Sequence, residues 1–471
     1  MGQPAGSMGM GQHQLRALLA MVGVALLLNY VETMIVPGIP TIQNDFGASS
    51  SVVAWVTSAF LIVGSAVAPL FGRLGDSHGK KRMFLLALGF YTAGVGLGGF
   101  STSIYLLILA RAIQGIGFAV VPLSLAIIAE TFPRERISTA QGVVSATFAI
   151  GAAAGLVIGA YVVQDLGWQW AFHSAFILSI VLFVLVAKFL PSGHPGTKIK
   201  VDFYTTVMLM AGVSLILLYL TEGPYEGWFS AYDLAVLAAG ALITLGFFIA
   251  ENRSANPLIH LDLLRIRNVL VANLVGVISG IAMFLLFWAV VYYTESPVPF
   301  GLGLDTVSAG LTLAPATVLM LAAGPGLGRL VKRNGPKPTI ILGACISLVG
   351  LALFIFHRGS SVDVTMATAV SLLGAISIII PIVNMVSISL PKETVATGLG
   401  LNTMLRNIGG ALGPVIATTF FSTNSVNVTT AKGVIAFPTS TAYNYIFYTG
   451  AVVMVAAIVV ALLAKNYTFR D

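Results

Sequence analysis

The chain has 471 residues, 57% of them hydrophobic and only 9% charged, with a mean hydropathy of +0.95, whereas a soluble chain carries about 25% charged residues. This balance excludes a soluble globular protein and predicts an all-α polytopic membrane protein. The net charge of +7 does not point to nucleic acid, because the cations gather on one side of the expected membrane, and the single cysteine, Cys345, excludes an intrachain disulfide.

Residues 1–14 are rich in Gly, Met and Gln and read as a flexible N-terminal tail, without the basic n-region and cleavage site of a signal peptide. Fourteen apolar runs follow, each long enough to cross a bilayer core of about 30 Å as a helix. They lie near 15–36, 52–72, 83–100, 104–128, 140–163, 169–190, 203–221, 232–250, 269–292, 307–330, 338–356, 365–388, 397–421 and 444–465.

The first span holds Glu32, the only one of the 17 acidic residues that sits well inside a span. A charge at the bilayer centre costs about 2.5–3.5 kcal/mol on insertion scales, so it faces a cavity or a partner. Two readings are open: a carboxylate that exchanges a proton as the cavity changes side, or a structural ion pair with Arg111. Asn29 lies one helical turn earlier on the same face.

Between the second and third spans, Gly72, Arg73, Leu74, Gly75, Asp76, Ser77, His78, Gly79, Lys80 and Lys81 read as a basic loop, extended by Arg82. The pattern returns at 328–337, with a proline three residues upstream of each copy (Pro69, Pro325), at an offset of 256 residues. In the fourth span Arg111 and Gln114 share a face. A buried guanidinium needs an acceptor or an anion, so the pair either lines a cavity or ties two helices. In the fifth, Gly151, Gly155 and Gly159 recur every four residues, after Gly142, and leave a face on which another helix can approach closely. The stretch 151–158 is echoed at 409–416, an offset of 258.

Two echoes at nearly one offset imply a duplicated module. The modules are 15–190 and 269–466, six spans each, and 191–268 is an inserted two-helix segment with its linkers. An even insertion keeps both modules in the same orientation. In the ninth span Phe284, Trp288 and Tyr292 form an aromatic stripe. Such faces attract apolar and cationic compounds, or serve packing and lipid contact. In the thirteenth, Asn402, Arg406, Gly409 and Gly413 fall on one face, and Arg406 is a second embedded cation.

Of the 24 Lys and Arg residues, 20 fall on the side of the 72–82 segment, two on the other side, and Arg111 and Arg406 within helices. That asymmetry follows the positive-inside rule and places both termini in the cytoplasm.

On these residues the chain resembles the fourteen-span drug:proton antiporter family of the major facilitator superfamily, from about Tyr30 to Phe421. The resemblance rests on the doubled 72–82 segment, the run 109–117 with Arg111 and Gln114, the spacing of Gly142, Gly151 and Gly155, and the run 405–413. It implies two six-helix bundles plus two inserted helices, 14 transmembrane helices in all. It also implies proton-coupled export of amphipathic, cationic compounds from a prokaryotic cell by alternating access. On that reading Glu32 and Arg111 couple protons, and Asn29, Gln114, Phe284, Trp288, Asn402 and Arg406 line the substrate cavity. Gly72, Asp76, Gly79, Lys80 and Arg82 form a conformational gate, and Gly142, Gly151, Gly155 and Gly159 the antiporter-motif helix. The pattern departs at Val31, where the family places its acid, at Ser77, where it has Arg, and at Leu156, where it has Pro. A carrier of another substrate, a lipid or an organic anion held by Arg111 and Arg406, is the alternative.

No Walker loop, HExxH or GxSxG constellation occurs, and the six histidines show no metal spacing. The expectation is a transporter and not an enzyme, monomeric, in the cytoplasmic membrane. Its partners are small substrates, protons and lipids, with no nucleic acid, no cofactor, and the proton gradient as energy source.

Overall fold

The structure, a computed structural model, describes residues 12–191, 203–254, 257, 261–391, 394–430 and 433–465, with the backbone alone at some positions, among them Asp76, 134–139 and Gly142. Most of the expected tail and of the linkers around the insertion therefore lies outside the described residues; Gln12 to Gln14 already belong to the first helix.

Lipid offers no partner to backbone N–H and C=O groups, so the apolar runs close their hydrogen bonds internally as helices. These are α1 (Gln12–Met34), α2 (Ile39–Phe46), α3 (Ser50–His78), α4 (Lys80–Gly99), α5 (Ile104–Gly115), α6 (Val120–Thr131), α7 (Arg134–Leu166), α8 (Trp168–Phe189), α9 (Phe203–Glu222), α10 (Ala231–Arg253), α11 (Arg267–Glu295), α12 (Thr306–Asn334), α13 (Pro336–Phe356), α14 (Ser361–Ser389), α15 (Val395–Thr423) and α16 (Ser440–Leu462). Where chains re-enter the membrane, Ser49, Ser103, Ser230 and Ser360 cap the new helices by accepting a backbone N–H. The fourth expected span is α5 and α6 joined by a 3₁₀ turn at Ile116–Ala119. Pro122 explains the break: it lacks the N–H that the Phe118 carbonyl would accept.

Twelve helices among the described residues are long and apolar enough to cross a membrane, against the fourteen expected. The expected fifth and thirteenth spans coincide with α7, of which Ile150–Leu166 is an apolar stretch too short to count and earlier positions are described by backbone alone, and with α15, whose glycines and polar residues lower its hydropathy. The chain is also not purely helical. The β-branched, polar run after α15 forms a hairpin, β1 (Ser425–Thr430) with β2 (Gly433–Pro438), in which Val426 pairs with Phe437.

Packing repeats with the sequence offset. Helix α1 packs on α7 and α8 as α11 packs on α15 and α16; α4 packs on α5 and α8 as α13 packs on α14 and α16. Two seams join the halves, α3 with α15 and α7 with α12, and exchanging the halves converts one seam into the other. The inserted pair breaks that symmetry: α9 lies against α3 and α15, and α10 is held mainly by α9.

The doubled segment is not a loop. Its residues Gly72 to His78 are the last turns of α3, and Gly328 to Asn334 those of α12, so a single glycine links each pair of helices. Gly79 has φ 95° and Gly335 φ 85°, a left-handed geometry in which a Cβ is strained.

The hydrogen bonds seen between the halves gather towards one end. At the end away from the basic segments, Tyr292 donates to Gln43, and the Val307 N–H donates to Gln164 at 2.8 Å. Deeper, Ser58 donates to the Ala411 carbonyl at 2.8 Å. Towards the basic end, Gly72 of α3, Gly324 and Gly328 of α12 and Gly400 of α15 have no contact within 4 Å of where a Cβ would stand. The interior thus opens at the basic end. Gln164 also bonds Asp305, whose carboxyl is held below the usual range chiefly by the Ser308 side chain, so its charged form persists to lower pH than a free aspartate's. Replacing Gln164 by Ala is expected to shift the conformational balance towards opening at the opposite end; the exposure of a cysteine introduced near Tyr292 to a membrane-impermeant thiol reagent measures it.

Candidate functional site

The interior site is assembled from α1, α5 and α15. Helix α1 is placed by α7: a methyl on Gly151 would stand 2.5 Å from the Leu26 carbonyl oxygen, and one on Gly159 2.6 Å from the Met34 Cα. The Thr33 hydroxyl adds a bond to the Ala152 carbonyl at 2.9 Å. The glycine face of α7 is therefore a seat for the helix that carries Glu32. The surroundings of Gly142 lie outside the described residues. In the second half Gly409 plays the same part, 2.2 Å from the Val277 carbonyl oxygen by the same measure.

Glu32 itself is half-buried, as is Arg406, while Arg111 and Gln114 are fully buried. Arg111 donates from Nε to the Val56 carbonyl at 3.0 Å and from Nη1 to Gln114 at 2.9 Å, and its guanidinium lies 4.1 Å from the centre of the Phe60 ring. It is thus anchored on α3 and on its own helix. Its Nη2 has no hydrogen-bond partner. Glu32 interacts electrostatically with Arg111 and with Arg406 of the other half, yet no ion pair joins it to either. A carboxylate in reach of two guanidinium groups but locked to neither is open to proton exchange. Truncating Arg111 to Ala removes the bond to Gln114 Oε1 and leaves that buried amide oxygen without it, an expected loss of roughly 1–3 kcal/mol, visible as a lowered melting temperature.

Other expected cavity residues sit elsewhere. Asn402 is buried in the seam between α15 and α11, donating to the Ala272 carbonyl at 3.0 Å and to Asn273 at 3.2 Å. Asn29 is buried too, its amide on the Ala25 carbonyl at 2.7 Å. Both fall on the faces that bring α1 and α11 against their glycine-bearing partners, so packing claims them. Trp288 is 1% exposed and stacks on Tyr292, with centroids 5.5 Å apart; Phe284 is half-buried against Gly410 and Phe287. The aromatic stripe is an interior wall and not a lipid face. In the expected gate, Lys80 pairs with Glu130 of the same half, Arg82 is exposed, and the Asp76 side chain lies outside the described residues. Sequence reasoning missed Gln43, Gln164 and the buried acids Asp233 and Glu251 of α10. Their positions at helix ends gave no sign of burial or of a partner in the other half.

A sequence profile of the Major Facilitator Superfamily matches residues 21–414. The chain belongs to the major facilitator superfamily. Within that superfamily it is 26% identical over 407 residues to the multidrug transporter protein MdtP of Bacillus subtilis (strain 168), covering 85% of this chain and 74% of that one. It is 25% identical over 403 residues to the tetracenomycin C resistance and export protein of Streptomyces glaucescens, with shares of 85% and 74%. Among solved major facilitator structures, the nucleoside transporter NupG (D323A mutant) superposes with a TM-score of 0.63 at 13% identity, covering 95% of this chain and 100% of that one. The human organic anion transporter MFSD10 (TETRAN) gives 0.58 at 18% identity, with 96% and 100% covered. Both likenesses concern the fold. Major facilitator proteins are membrane-embedded transporters, and that much is established for this chain.

Proposed function

We propose that the protein is a proton-coupled exporter of small amphipathic compounds, working by alternating access as a fourteen-span monomer with α7 and α15 crossing the membrane. The single observation that carries this reading is Glu32, half-buried between the halves, under the influence of a guanidinium from each and ion-paired with neither. The relatives named as a multidrug transporter and as a tetracenomycin C resistance and export protein support the substrate class. The basic end is read as cytoplasmic by the positive-inside rule, which puts both termini inside and makes the described conformation inward-open. A proton reaching Glu32 removes one negative charge from a cluster otherwise held by Arg111 and Arg406. That change re-weights two packings of the halves, and the proton gradient supplies the energy with no cofactor.

Cationic substrates fit the family likeness. The excess of two guanidinium groups over one carboxylate favours a second reading, in which the carried compound is an organic anion held at Arg406. Proteoliposomes with an imposed pH gradient test both. Gradient-driven flux of cationic dyes, competed by other cations and not by anions, supports the first; competition by organic anions alone supports the second. Flux indifferent to the pH gradient rejects proton coupling for either.

A further inference from the structure

The two halves treat one helix face differently. On α12, Leu311, Ala314, Pro315, Val318, Leu319 and Ala322 line an open apolar groove of about 500 Å³, and Val318 is 60% exposed. The counterparts 256 residues earlier on α3 include Ala59, Ile62 and Ala66, all buried, in a helix against which α9 packs. Among the described residues α12 has no counterpart of α9; its main neighbours are α14, α7, α13 and α11.

Continued at steps of three and four residues, the same stripe of α12 reaches Gly326, Arg329 and Arg333. Both arginines and Lys332 beside them are exposed, and among the described residues none has an ion pair or hydrogen bond. The α3 positions matching Lys332 and Arg333 are Asp76 and Ser77, so only the second copy is purely cationic. Ten helical residues rise about 15 Å, half of a bilayer core of about 30 Å. A leaflet whose edge lies near Gly326 therefore bathes Val318, Leu319 and Ala322.

We propose that α12 binds an anionic phospholipid, with the phosphate on Arg329 and Arg333 and one acyl chain along Val318, Leu319 and Ala322. Guanidinium forks match phosphate oxygens two at a time, and a basic cluster at the membrane surface selects negative headgroups. The chain fills the place that α9 occupies on the other half. Gly326, with nothing within 4 Å of its Cβ position, leaves the way clear between groove and cations.

The test uses the full chain purified in neutral detergent, with lipid retention counted by native mass spectrometry and melting temperature followed in parallel. The probes are dioleoylphosphatidylglycerol, dioleoylphosphatidylcholine and soluble glycerol phosphate. Two surface cations correspond to roughly a thirty-fold preference for the anionic lipid. That preference is expected in the unaltered protein and in Arg329→Lys/Arg333→Lys, and is expected to vanish in Arg329→Gln/Arg333→Gln. Ala322→Trp, which fills the groove and keeps the charges, is expected to weaken retention of phosphatidylglycerol. Mass spectrometry reads only folded particles, and the lysine and tryptophan variants carry the test if the glutamine variant does not fold. Equal retention of both lipids, unaltered retention in Ala322→Trp, or displacement of the lipid by glycerol phosphate would overturn the proposal.

Discussion

With Glu32 replaced by Gln, the transporter is expected to bind its substrates yet fail to concentrate them against a pH gradient. Per proton exchanged, each pH unit supports about a ten-fold substrate gradient; in the variant the gradient is expected to fall to about one. The amide keeps the size and polarity of the side chain and cannot change charge. Because no ion pair ties Glu32 to Arg111 or Arg406, the fold loses little, and the melting temperature is expected to move by only a few degrees. A structural ion pair would give the reverse pattern, a large drop in melting temperature with coupling intact. Gradient-driven uptake in inverted vesicles, measured beside substrate binding by fluorescence, separates the two. Unchanged pH-driven transport in Glu32→Gln would remove this residue from the mechanism.

The second large effect is expected at Gly155. A methyl there would stand 2.1 Å from Thr33 Oγ1 and 2.4 Å from the Tyr30 carbonyl oxygen, so α1 must be pushed away from α7. Overpacking of this kind costs about 1–3 kcal/mol, and it displaces the helix that carries Glu32. Gly155→Ala is expected to lower the melting temperature and transport together. Gly72→Ala is the contrast: nothing lies within 4 Å of its Cβ position, and alanine favours a helix by up to about 1 kcal/mol. It is expected to melt no lower than the unaltered protein. A loss of stability in Gly72→Ala equal to that in Gly155→Ala would contradict the packing described for both.

The duplication was legible in the chain because a gap of 256 residues recurs in glycine-rich segments, whose spacing is fixed by backbone approach and not by side-chain chemistry. Glu32 was legible for a different reason, since an acid within an apolar run must have a polar environment. What the sequence could not show is direction around a helix axis. Asn402 and Arg406 lie four residues apart, yet the first is committed to α11 and the second is half-exposed. Periodicity places both on one face without saying which neighbour that face meets. The same limit hid the partnership of Gln43 with Tyr292, which depends on how one half is set against the other. The segment 72–78 read as a loop because Gly, Asp and Ser are turn formers; in the structure the continuing helix overrides that preference until Gly79.

The one-residue links at Gly79 and Gly335 leave α3 and α4, and α12 and α13, too short a tether to move apart. The two helices of each linked pair then travel together. Arg111 lies in the same half as Glu32, and Arg406 in the other. If the halves rock as proposed, one of the two positive charges that act on the carboxylate stays constant and the other is carried towards or away from it. On the proposed proton-coupled reading, Arg406 is the moving electrode of the pair, and the distance from Glu32 to Arg406 is the coordinate that would tie the position of the halves to the affinity for a proton.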